Sequence, residues 1–337
     1  MAAAYLVDQQ GCANIAPSSP IRAENTPHTS LYFTADRMIH LPRSFYTTRH
    51  APYYIVALDY IQQSAGIRAL HYLCHALNES GAEAFVTCQG TATHLRTPTL
   101  DEHILHRHHL AGRKPIVVYP EIVSGDPFAA GGLVVRWLLN QPGHIAGDLT
   151  FPDSDLIFAY SPIYLPEGMP GRILHVPTCD LSLFNNDDNP HDSTRDQVCF
   201  YAHKFLHAGG KLTEHVNGAT SLCKDVKMSH AEIAATLRRS KLLYVYEPTA
   251  LITEALLCGC PVAIIETDYW HNNLSSFKCP VDDGMTMDLS PEAIARAQEN
   301  ARRFRKKYEE SVMHEAWAQL DRFVNHTQNV YRERNAK

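Results

Sequence analysis

Residues 246–262 read Tyr246-Glu247-Pro248-Thr249-Ala250-Leu251-Ile252-Thr253-Glu254-Ala255-Leu256-Leu257-Cys258-Gly259-Cys260-Pro261-Val262. The apolar run 242–246 ahead of it is rich in strand formers, and Pro248 stops that run. Thr249 then caps a helix that ends at Gly259, and residues 262–265 form the next apolar strand. Such a helix presents its first N–H groups, at Ala250, Leu251 and Ile252, at the carboxyl end of a strand, where an anion binds. Glu254, one turn further, faces the same place and can accept two hydroxyl hydrogen bonds of the kind a ribose offers. The same residues also suit a buried strand–helix–strand unit with a capping threonine and a structural glutamate, and both readings stand on the residues alone.

The pattern repeats outward from this segment. Short apolar, β-rich runs occur at 54–58, 84–87, 115–119, 156–159, 173–176 and 198–202. Between them lies a helical pattern with Ile67, Leu70, Cys74 and Leu77 on one face, and residues 134–139 read as a further helix ending at Asn140. Ser229 with Glu232 three residues later forms a capping box for another helix, and Ser290 before Pro291 opens a long C-terminal helical region. Strands alternating with helices predict parallel sheets covered on both faces. The polar stretch 185–192, Asn-Asn-Asp-Asp-Asn-Pro-His-Asp, reads as a linker. The expected organisation is an irregular extension over 1–50 with a short strand near 30–34, a first α/β domain over 51–185, a second over 186–310, and a C-terminal helix over 311–337.

Composition narrows the function classes. The chain has 337 residues with net charge −6, 45% apolar and 20% charged residues. This is ordinary globular material for about two domains, and the acidic balance argues against a nucleic-acid-coating protein. Nine scattered cysteines without a CxxC motif give neither a disulfide framework nor a zinc knuckle, and fit a reduced, cytoplasmic compartment. The first residues lack the charge and apolar pattern of a secretory signal, and the most apolar stretch, 241–265, is broken by Glu247, Pro248, Glu254, Gly259 and Pro261.

Glu254-Ala255 followed by Cys258-Gly259-Cys260-Pro261-Val262 resembles the donor-binding segment of GT-B fold glycosyltransferases, particularly the retaining family 4-like group. The resemblance runs from about Tyr53 to the C-terminus and is sharpest over 229–265. It implies two Rossmann-like α/β domains facing a central cleft, a nucleotide-sugar donor on the second and a glycan or lipid-linked saccharide acceptor on the first. It also implies retention at the anomeric carbon, no metal and no separate cofactor. The family's first glutamate precedes its second by eight positions, which here is Tyr246; Glu247 stands one residue off. Lys204, after the strand 198–202, occupies the place of the basic residue that meets the diphosphate, with Lys211 as the reserve. Gly66 opens the helix whose loop approaches the diphosphate in similar enzymes. The last helix, around 316–331, is expected to cross back onto the first domain.

Glu121 and Asp126 follow another strand of the first half, placed to grip acceptor hydroxyls or to assist proton transfer. A turn and a surface acid are the plainer readings of both. Asp153-Ser154-Asp155 matches a metal-binding DxD but precedes its strand, so it reads as a turn leading in. His103, His106, His108 and His109 read as a solvated face rather than a metal site. Gly209-Gly210-Lys211 lacks the Walker spacing, and neither a GxGxxG nor a GxSxG is present. The basic run 302–307 reads as a solvated helix face balanced by Glu309 and Glu310, with peripheral contact to anionic lipid as the alternative. A nucleotide-sugar epimerase on the same fold and a non-catalytic GT-B-shaped binding protein are the competing functions.

Overall fold

The computed structural model describes residues 50–187, 195–268 and 281–335. The extension before His50, its short strand at 30–34, and most of the 185–192 linker lie outside the described residues.

The first half carries β1 (Tyr53–Ile55), α1 (Ala65–Glu79), β2 (Ala84–Val86), α2 (Glu102–Leu110), β3 (Ile116–Pro120), β4 (Leu133–Leu138), β5 (Leu156–Ala159) and β6 (Arg172–Ile173). These strands form one sheet in the order β2-β1-β3-β4-β5-β6, parallel throughout. The second half carries β7 (Gln197–Tyr201), α3 (His203–His207), β8 (Thr220–Ser221), α4 (His230–Arg239), β9 (Ser240–Val245), α5 (Leu251–Leu257), β10 (Val262–Ile264), β11 (Met285–Thr286) and α6 (Pro291–Lys307). Its sheet, β11-β10-β9-β7-β8, is also parallel. Counted from its own first strand, each half has the order 2-1-3-4-5, the first half adding a sixth strand. These are two Rossmann-like α/β domains facing a cleft.

Residues 134–139 are not helix. Leu133–Leu138 is a strand paired to β3 from Ile116↔Leu133 to Pro120↔Trp137 and to β5 on its other side. A short apolar run has no decisive period, and Val134-Val135 with a fully buried Trp137 suits a central strand. Arg136 is buried inside it because its Nε meets Asp155 at 2.8 Å and its Nη atoms meet the Val123 and Gly125 carbonyls at 3.0 and 2.6 Å. Asp155 is thus a structural partner of Arg136, as a turn leading into β5 suggested.

Both capping signals appear as hydrogen bonds: Ser229 and Glu232 close the capping box of α4, and Ser290 Oγ accepts from Ala293 N. The histidine face needs one correction. His103, His106 and His109 are exposed, but His108 is buried, with Nδ1 2.7 Å from Tyr54 Oη and Nε2 3.2 Å from Glu83. Among the described residues no group of three or more His, Cys, Asp or Glu could hold a metal ion.

The chain passes between halves near Thr178, because Cys179, Leu181, Leu183 and Phe184 already pack on the second core. It returns through a π-helical segment, Tyr308–Met313, into α7 (His314–Asn335). Leu320 and Phe323 of α7 sit in the first core, Phe323 4.8 Å from the Phe158 ring. Gln328 pairs with both backbone groups of Ala51, at 2.9 and 3.0 Å. The basic run on α6 is neutralised locally: Arg302 and Arg303 meet Glu299, Arg305 meets Glu309 and Asp187, Lys306 meets Glu310, and Lys307 meets Asp283. That pairing supports the solvated-face reading. Among the described residues no helix is long and apolar enough to cross a membrane.

Candidate functional site: the interdomain cleft

In a 2-1-3 strand order the connections leave strands 1 and 3 in opposite directions, opening a crevice at their carboxyl ends where ligands bind. The first half has this crevice between β1 and β3, the second between β7 and β9. A single cavity of about 2270 Å³ spans both, lined by Val56, Ala57 and Glu121 on one side and by Lys204, Glu247 and Thr249 on the other.

The second-domain wall is polar. Glu247, directly after Tyr246 at the end of β9, is fully buried. Its Oε2 accepts the Phe205 N–H at 2.7 Å, capping α3, while its Oε1 has no hydrogen-bond partner. Burial raises its pKa, opposed by Lys204 and Lys224. Lys204 in the first turn of α3 and Lys224 after β8 both line the cavity. The Lys224 pKa is lowered by burial and by the neighbouring Lys204 charge. Two cations beside one carboxylate leave an excess of positive charge, which suits an anionic ligand.

The opening of α5 differs from expectation. Helical geometry begins at Leu251, with Ala250 as the cap residue. The Leu251 N–H is taken by Thr249 Oγ1 at 3.3 Å and the Ile252 N–H by the Thr249 carbonyl at 3.3 Å. Two of the amides expected to be open to an anion are therefore engaged by a tight local turn. Glu254 lines the cavity but is already engaged there. Its Oε1 receives Arg68 Nη1 from α1 of the first domain at 2.8 Å, and both side chains are buried.

The first-domain wall carries one acid at a strand end. Glu121, at the end of β3, is 3% exposed, and its Oε2 accepts the Leu139 N–H at 2.8 Å. Desolvation pushes its pKa up to about 7 against that backbone bond. The 140–148 loop closes on it through Gly147, at φ +89°, where a Cβ would lie 2.0 Å from the Glu121 carbonyl oxygen. Ile122, Leu139, Ile145 and Ile163 also line the cavity.

Gly66 also lines it, with Leu139 Cδ1 3.8 Å from where its Cβ would be. Asp126 and Lys211 do not line it. Asp126 accepts from Tyr119 Oη at 2.5 Å and from Ala129 N at 3.2 Å, which spends it on its own turn. Lys211 is exposed beyond the Gly209-Gly210 turn, whose second glycine packs against the Phe205 ring. Arg68 and Lys224 were not singled out from sequence. A charged residue in the first turn of the helix that follows β1 was the available signal for Arg68; Lys224 carried none.

The fold and site together define a two-domain α/β protein with a ligand cleft at paired switch points. Among solved structures the chain is similar to the glycosyltransferase SnogD from Streptomyces nogalater (14% identity, 82% of this chain and 100% of that one, TM-score 0.43). It is also similar to the glycosyltransferase VinC in complex with dTDP (13% identity, 80% and 100%, TM-score 0.41) and to the spinosyn forosaminyltransferase SpnP (13%, 85% and 99%, TM-score 0.38). No protein-family model matches the chain, and no curated protein matches it.

Proposed function

We propose that the protein is a glycosyltransferase that moves a sugar from a nucleoside-diphosphate sugar on the second domain to an acceptor hydroxyl held by the first. The observation that carries this reading is the one cavity over both switch points, with Lys204 and Lys224 on its second-domain wall and the buried Glu121 on its first-domain wall. The acceptor oxygen bonds to the anomeric carbon as the bond to the diphosphate oxygen breaks, and the electron pair leaves with the diphosphate. Lys204 and Lys224 stabilise that growing charge, so positive charge comes from side chains rather than a metal. Glu121 orients the acceptor hydroxyl and receives its proton, a role its pKa near neutrality suits.

Retention, which the family 4-like resemblance implies, requires the acceptor oxygen to approach on the face the diphosphate leaves from, with Glu247 taking the first-glutamate place one residue late. The apolar side chains that line the cavity with Glu121 favour an acceptor with an apolar part, a lipid-linked saccharide over a free glycan, met at the cytoplasmic face of a membrane. A second reading has its own support: Glu121 and Glu247, two buried acids with raised pKa on one cavity, are also what an epimerase needs for proton abstraction.

Calorimetry with UDP, GDP, dTDP and CMP, with NAD as control, tests the donor site. One nucleotide is expected to bind, more weakly to Lys204→Ala. Binding of NAD alone, or of nothing, overturns the transferase reading. Consumption of the matching nucleotide sugar to an isomer without acceptor selects the epimerase.

A further inference from the structure

Arg68 is a costly residue for its place. Its guanidinium starts in the first domain, three residues into α1, and ends against the second domain's Glu254 with a side chain only 6% exposed. A guanidinium has five N–H donors, and burial makes each unmet donor unfavourable. Here the Nε is buried with no hydrogen-bond partner, and Arg68 lines the interdomain cavity. A buried ion pair that serves only to staple two domains can often be replaced by apolar packing without loss of stability.

The surroundings point to what is missing. Arg68 lies close enough to the lysine cluster for its charge to bear on Lys224, alongside Lys204. Three cations from two domains thus converge on one cavity, whose acids on this side are Glu247, already capping α3, and Glu254. A dianionic or trianionic group between them would satisfy the Arg68 fork and the two ammonium groups at once.

Resting on the donor-site reading above, we propose that Arg68 is a ligand of the donor's diphosphate. Glu254 is its stand-in partner while the site lacks an anion. Arrival of the diphosphate draws the guanidinium from Glu254, leaving that carboxylate to the ribose hydroxyls. The first domain then grips the leaving group bound by the second, so donor binding and cleft closure are one event.

The test uses the full chain and two probes, inorganic pyrophosphate and whichever nucleoside diphosphate binds the wild type, each by calorimetry. Because Arg68→Ala alone strands a buried carboxylate, the variants are Glu254→Gln and the charge-neutral pair Arg68→Met with Glu254→Gln, each checked for a folded circular-dichroism spectrum. Glu254→Gln is expected to bind pyrophosphate more tightly than wild type, since the competing carboxylate is gone. Adding Arg68→Met is expected to weaken pyrophosphate and the nucleoside diphosphate by about tenfold or more relative to Glu254→Gln, while the matching nucleoside is unaffected. Equal pyrophosphate affinity in the two variants makes the pair a structural staple and overturns the proposal. If wild type binds pyrophosphate through Arg68 but no nucleotide, the donor reading falls and the anion site stands. If it binds neither probe, both fall.

Discussion

The β1/β3 and β7/β9 crevices have the same strand order and open onto the same cavity, yet their chemistry is opposite. At the first, Glu121 is buried with one oxygen on the Leu139 N–H, and its pKa is pushed up to about 7 by burial. At the second, Lys204 and Lys224 flank Glu247, which is itself fixed as the cap of α3. The shared topology supplies two equivalent hollows, and the residues at the ends of four strands divide the labour between them. Burial of one acid raises its pKa until it can exchange a proton near neutral pH; a pair of cations suits phosphate charge without needing to titrate.

The largest expected effect breaks this contrast at its acid. Glu121→Gln keeps an oxygen for the Leu139 N–H but cannot accept a proton, and kcat should fall roughly 10²- to 10⁴-fold in a product-formation assay. The wild-type rate should rise with pH through about 7, and a profile flat across that range would remove Glu121 from the chemistry. Stability should move the other way. A carboxyl whose folded pKa lies above its unfolded value contributes stability that is full below the unfolded value and lost as pH rises through about 7. The uncharged amide of the variant suffers no such loss, so in urea unfolding at pH 8 Glu121→Gln should exceed wild type by about 3 kcal/mol.

Next in size, Lys204→Ala should lower kcat/KM by about 100-fold through a lost charge-assisted contact, with the thermal midpoint unchanged because the side chain is exposed. An unchanged kcat/KM would leave the anion to Lys224 and Arg68. Ile145→Asp puts a charge on the cavity lining at a residue 57% exposed, so folding should survive. Acceptor KM should rise about tenfold while nucleotide affinity, read by calorimetry, stays constant. A shift in both would mean the two hollows are not separate subsites. The smallest effect belongs to Lys211→Ala, outside the cavity: nucleotide affinity within about twofold of wild type, in line with exposed surface substitutions.

Local signals explain what was legible. Ser229 with Glu232, Ser290 before Pro291 and the glycine stop at Gly259 are read over a few residues, because a helix end is satisfied by its own neighbours. Buried parallel strands announce themselves as apolar runs, which is why the alternation of two α/β halves could be read directly. The same logic misplaced residues 134–139, since an apolar run buried on both faces has no period to separate strand from helix. Lys204, Glu121 and Thr249 could be placed on the cavity because strand ends locate the crevice of such a sheet.

What tertiary structure alone decided are the meetings across distance. Arg68 and Glu254 are 186 residues apart, and no local pattern says that one carboxylate will spend itself on the other domain's guanidinium. The pKa of Glu121 depends on the depth of a pocket built by the 140–148 loop, and His108 left its solvated face only because Glu83 and Tyr54 lay beneath it. Sequence by itself determined most of the elements and the strand ends where the hollows form, since backbone hydrogen bonding and apolar burial act over short windows. Which charges face one another inside those hollows is settled by desolvation and Coulomb terms, and these exist only once the chain has closed around them.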